Sequence, residues 1–233
     1  MPRALTTHRR LTTAARWPLG VALTSWSYMW RTTPIHRREL PGASPLDDPP
    51  PLPAGVDLTE VQRPEHGDGP LFHRVFSARI RDGRLGAAEL VARLAEDPNV
   101  VAPSELASFQ KVRGGEGSMR VGDEFTVRMP GPWDGPVRVV VVTPTSFRFA
   151  TLEGHLEAGQ IEWRAGSDDG RLVFAIESWA RPGDRASALL HHRLRMAKEV
   201  QLHMWTSVIE RVARLCGGRI TGGVSIETRV VEV

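Results

Sequence analysis

Between Asp123 and Trp179 the chain repeats one pattern, and that pattern limits the fold more than any other feature. The runs "DEFTVRM", "PVRVVVV", "SFRFATL", "GQIEWRA" and "RLVFAIESW" are rich in β-branched and aromatic residues. "PGPWDG", "TPT", "EGHLEA" and "GSDDG" separate them as turn-rich pieces. Such runs favour strands. Their connections are too short for the crossover that parallel neighbours need, so the strands form an antiparallel meander. From Arg185 to Cys216 there is then neither proline nor glycine, and Leu190, Leu194, Ala197, Met204, Val208, Val212 and Leu215 form an interrupted apolar stripe. Asp184 suits an N-cap and Gly217-Gly218 a stop, so one long helix is expected over 185–216.

Upstream of the meander, "LFHRVFSARI" from Leu71 reads as a strand closed by the turn "RDGR". "LGAAELVARLAEDPN" spaces Leu85, Leu90, Val91 and Leu94 as a helix would, and Asp97-Pro98 ends it. "SELASFQKV" is read as a second short helical or coiled stretch. "VSIETRVVEV" alternates as a strand that fits either a sheet edge or a dimer contact. The fold class is α+β: a curved antiparallel sheet must cover one face, and a long C-terminal helix can do so.

Residues 1–40 hold seven arginines against Glu39 alone and carry +6, while the remaining residues carry −3. This N-terminal extension also holds Trp17, Trp26 and Trp30, and it is expected to dock on the body. Its apolar stretch 17–30 is 14 residues long, short of the roughly 20 that span a bilayer, and its flanks do not suit a signal peptide. Peripheral membrane contact remains open because tryptophan and arginine together suit an interface. No recognition helix, zinc-ligand set or aromatic-and-basic strand is evident, so nucleic acid is not an expected partner. Residues 41–53 contain six prolines, and 41–69 reads as a linker. The compact domain covers 70–233. A lone cysteine, Cys216, excludes an intrachain disulfide and suits a cytoplasmic setting.

"FRFATLEGHLEAGQIEW" at 147–163 and "DDGRLVFAIESWARPG" at 168–183 resemble a family of unknown function, DUF1990 or UPF0548. Thr151, Leu152, Gly154, His155, Glu157, Gly159 and Arg181-Pro182 match its pattern, whereas Ala150, Gln160 and Ala180 depart from it. "ARWPLGVALTSWSYMWRTTPIHRRE" is similar to the N-terminal extension of actinobacterial members. The resemblance implies a START-like (Bet v 1-like, SRPBCC) helix-grip fold, in which relatives bind lipids, hormones or polyketides and some are cyclases or hydrolases. No settled activity comes with it, and fold alone does not choose a reaction.

Three functional readings follow. The first is an apolar or amphipathic small molecule held between sheet and helix, touched by Phe147, Phe149, Trp163, Phe174, Trp179 and Trp205 with Arg148, His155 and Arg181. The second is an enzyme of cyclase or hydrolase type. There His155, at two-residue spacing from Glu153 and Glu157, serves as general acid or base, since a carboxylate can orient an imidazole. The same residues allow a structural hairpin, which is the third reading's starting point: a structural or protein-interaction domain without a ligand. No cofactor and no metal are expected. His191 and His192 are adjacent, and His203 lies about three turns further along the helix, too far to share a metal with them. Cys216 sits at a helix end, where nothing lowers a thiol pKa. "VRGGEGSMRVGDEF" lacks the lysine and Ser/Thr order of a phosphate loop and reads as a plain loop.

Overall fold

A computed structural model describes residues 33–41, 44–129, 134–183 and 195–231. Nine strands form one curved, open sheet: β1 (Ile35–Pro41), β2 (Leu71–Arg81), β3 (Ser108–Arg113), β4 (Glu124–Arg128), β5 (Asp134–Val142), β6 (Ser146–Thr151), β7 (Glu157–Asp168), β8 (Arg171–Pro182) and β9 (Arg219–Val231). Their spatial order is β1-β9-β2-β8-β7-β6-β5-β4-β3. Every pairing is antiparallel except β1 with β9. Two helices accompany the sheet, α1 (Ala87–Glu96) and α2 (Arg195–Leu215). Among the described residues no helix is long and apolar enough to cross a membrane.

The meander runs from β3 through β8, as short connections require. Three expectations change. "SELASFQKV" is not helical: Ser108–Arg113 pairs with β4, because alternation at Phe109 lets the ring join the core while Gln110 faces out. The helix read over 185–216 is described only over Arg195–Leu215, and it is not the C-terminal element. β9 follows it, starts earlier than the run at 224, and lies inside the sheet between β1 and β2. Its first half escapes a pattern search because "RITGG" puts glycines where alternation would show.

The two faces of the sheet differ in kind. On β2, Phe76, Ala78 and Ile80 join the core that also contains Phe147, Phe149, Trp163, Phe174 and Ile176. Leu202, Met204, Trp205, Val208, Ile209 and Val212 of α2 cover this face. The alternate residues, His73, Val75, Ser77 and Arg79, belong to the opposite face. Residues 44–63 run across that opposite face. The stretch read as a linker is a strap with its own small core, in which Val61, Leu52 and Val56 pack on Val140, Ala150 and Leu152. Prolines prevent it from adding a strand, yet their carbonyls still need donors. Side chains of the sheet supply them: Gln160 Nε2 donates to Pro50 O at 2.9 Å, and Arg138 Nη1 donates to Asp57 O and Thr59 O at 2.6 and 2.8 Å.

Candidate functional site

The "TLEGHLEAG" hairpin is the place to begin, because three readings of it were open. Glu153 is exposed, and the backbone of Glu157, rather than its carboxylate, hydrogen-bonds the His155 ring. His155 Nδ1 lies 2.9 Å from Glu157 N and 3.0 Å from Glu157 O, so the backbone of the turn holds that nitrogen and leaves the Nε2 edge to other contacts. That edge packs on Gly135, where an added β-carbon would stand 2.9 Å from Nε2. Burial holds the His155 pKa below the ordinary histidine range, against the Glu157 carboxylate and backbone hydrogen bond that favour charge. Thr151 Oγ1 ties the hairpin together, donating to Gln62 O at 2.9 Å and accepting from Gly159 N at 2.9 Å. Gly159 is fixed by close approach, since a β-carbon there would overlap Trp179 O. These contacts make the segment a turn that joins β6, β7 and the strap.

The expected ligand residues separate into groups. Phe147, Phe149, Trp163, Phe174 and Trp205 come together in the helix-side core, with Trp163 in ring contact with Phe147, Phe174 and Trp205 at 5.4, 6.2 and 6.0 Å. Arg148 lies on the strap face, where its Nε donates to Glu162 at 3.0 Å. Trp179 is also on that face. Arg181 reaches the strap through Pro64 O at 3.4 Å. Cys216 is buried, and burial pushes its thiol up to about 11. His191 and His192 lie outside the described residues. Among the described residues no group of three His, Cys, Asp or Glu is arranged to hold a metal.

Two polar clusters escaped the sequence reading. On the strap face His73 Nδ1 donates to Asp47 Oδ1 at 2.8 Å and Nε2 donates to Glu177 Oε1 at 2.7 Å. Trp179 stacks on the ring at 5.3 Å. Arg164 pairs with Glu177, and Arg229 Nη1 donates to Asp47 at 3.1 Å. Burial opposes ionisation of Asp47, but hydrogen bonds from His73, the Ser44 amide and Arg229 outweigh it and lower its pKa to about 2. Each carboxylate is taken up by neighbours, so this cluster fastens the strap and has no free base to offer.

On the helix face Arg74 occupies the alternation that otherwise places Phe76, Ala78 and Ile80 in the core. It is 5% exposed. Its cross-strand neighbours are Ser178 on β8 and Thr228 on β9, both buried. Nη1 donates to Gln201 Oε1 of α2 at 2.7 Å, and Gln201 Nε2 donates to Glu157 at 3.3 Å. The guanidinium also stacks on Phe72, with Cζ 4.6 Å from the ring centroid. Burial lowers the Arg74 pKa, and Glu157 and Glu39 pull it back only in part. Trp205 Nε1, on the same side of the sheet, is buried without a hydrogen-bond partner. A signal existed in the sequence: an arginine in phase with the apolar residues of "LFHRVFSARI".

Comparison with known proteins now applies. Residues 67–215 match the family model described as Domain of unknown function (DUF1990). The chain belongs to that family. No curated protein matches it in sequence. Among solved structures, it is similar to ginseng major latex-like protein 151 from Panax ginseng, at 16% identity and TM-score 0.45, over 64% of this chain and 99% of that one. The hypothetical protein jhp0584 from Helicobacter pylori gives 12% identity and TM-score 0.45, over 60% and 87%. The di-domain ARO/CYC StfQ of the steffimycin biosynthetic pathway gives 9% and 0.47, over 66% and 52%.

Proposed function

We propose that this DUF1990 member binds an amphipathic small molecule between the sheet and α2, at the end of the helix face marked by Arg74. The observation that carries the reading is a buried guanidinium, held by one hydrogen bond to Gln201 and a stack on Phe72, beside an aromatic core. A buried cation without full pairing is costly, so proteins keep one where a ligand or partner completes it. The carboxylates of Glu157 and Glu39 already act on this charge and offset part of the cost of its burial. The head group that fits is therefore a neutral oxygen acceptor, a carbonyl or hydroxyl, rather than a second carboxylate. Arg74 and Trp205 Nε1 would donate to it, while the apolar part lies against Phe76, Ile176 and the helix.

The test uses two naphthalene dyes that differ by one carbonyl group, prodan (6-propionyl-2-dimethylaminonaphthalene) and 2-dimethylaminonaphthalene. The full chain is expected to bind prodan saturably with a blue-shifted emission. Arg74→Met should weaken prodan by about tenfold, the worth of one hydrogen bond to a charged group, and leave the carbonyl-free dye unchanged. Equal prodan affinity in Arg74→Met, or no saturable binding by the folded wild type, overturns the proposal.

A further inference from the structure

The strap face carries a groove apart from the Arg74 site, and its first cleft is walled in part by His73, Glu177 and Arg229 of the Asp47 cluster. Two clefts of about 560 and 600 Å³ meet at Val75 and Arg164. The first runs under the strap past Asp48 and Glu227. The second has Val75, Val173 and Ala175 as an apolar floor, with Gly222 and Gly223 at one end. Small residues leave this part of the sheet uncovered, whereas the strap covers β5 to β7.

Where the N-terminal extension joins the body decides what can fill it. Val224 N donates to Pro34 O at 2.9 Å, and His36 Nε2 meets Gly222 O at 2.9 Å. Pro34 and His36 therefore lie at the Gly222–Gly223 end of the groove. Trp30 precedes Ile35 by five residues, a reach of up to about 17 Å. The groove lies across β9, β2, β8 and β7, about 14 Å at ordinary strand spacing. Trp30 can thus reach every part of the floor, and Trp26 and Trp17 can follow towards the strap. Residues 17–30 carry no charged side chain, so the segment suits the apolar floor of Val75, Val173 and Ala175.

We infer that residues 17–30 of this chain occupy the groove, with Trp30 seated over Val173 and Ala175 between the Arg164 and Arg79 side chains. Arginine beside an indole adds a cation–π contact to the apolar one. The occupant is the chain itself.

Trp30→p-benzoyl-phenylalanine in the full chain tests this by photocrosslinking in a mixture of isotopically light and heavy protein. Light-to-light and heavy-to-heavy links to peptides holding residues 73–79, 173–175 or 221–225 are expected. Links confined to the helix face, links between light and heavy chains, or none at all would overturn the inference. Val173→Glu should in addition speed amide exchange in 17–30 by about tenfold while α2 exchange stays unchanged, since only the docked segment is released. Should exchange in α2 rise, Ser225→Arg on the same groove replaces it. Unchanged 17–30 exchange in a folded groove variant also overturns the inference.

Discussion

The two faces of one sheet are held by different physics. On the helix face Phe147, Trp163, Phe174 and Ile176 are fully buried and packed against α2, so cohesion comes from apolar area and close contact. On the strap face the residues alternating with them form pairs: Arg138 with Glu124 at 2.7 Å, Arg148 with Glu162 at 3.0 Å, and His73 with Asp47 and Glu177. Apolar packing tolerates exchange of shape, whereas a buried ion pair contributes only when each partner is in place. The helix face therefore supplies most of the stability. The strap face supplies the position of residues 44–63.

The largest blow to that contrast should come from Trp163→Ala, which empties the centre of the helix face. A loss of about 3–5 kcal/mol is expected in urea unfolding, with strap proteolysis rising only as far as global unfolding does. A smaller loss with a selectively cut strap would reverse the roles assigned to the faces. Arg138→Met comes next. Arg138 is 2% exposed, and its removal leaves Glu124 only its pair with Arg113 and strands the Asp57 and Thr59 carbonyls, at a cost of about 3 kcal/mol. Limited proteolysis should then cut within 49–60 before the body unfolds. Adding Glu124→Leu should restore part of the loss, though the two carbonyls keep the strap loose.

The smallest effect is a titration. Because the folded pKa of Asp47 is depressed to about 2 from 3.8, its contribution is present above 3.8 and lost as pH falls from there towards 2. Stability measured between pH 4 and 2 should therefore decline less steeply in Asp47→Asn than in the wild type. Equal slopes would mean that His73 and Arg229 do not stabilise the Asp47 carboxylate.

The prediction that concerns Arg138 shows why sequence reading stopped short of the strap. "PVRVVVV" announces a strand, because a β-branched run is a local signal, but four valines in a row do not say which of them face the core. That Arg138 reaches carbonyls some 80 residues upstream is not local, and a proline-rich stretch reads as a spacer whether or not a surface waits for it. The same holds for His73, whose two partners lie 26 and 104 residues away. Arg74 was more accessible, since its phase with Phe76 and Ile80 is visible in a window of seven residues. His155 drew attention because of its motif, and the motif turned out to describe a turn: Gly159 answers to the backbone of Trp179, and Gly154 to a positive φ of 93°.

By itself the sequence determined the meander, the amphipathic helix after it, the family and the aromatic supply of the core. All of these rest on periodicity or on residues close together along the chain. Only the tertiary structure decided that β9 enters the sheet beside β1, that residues 44–63 lie across the outer face, and that Asp47, His73 and Glu177 meet. Such encounters depend on strand order and on which unpaired carbonyl finds a donor, and neither leaves a period in the sequence.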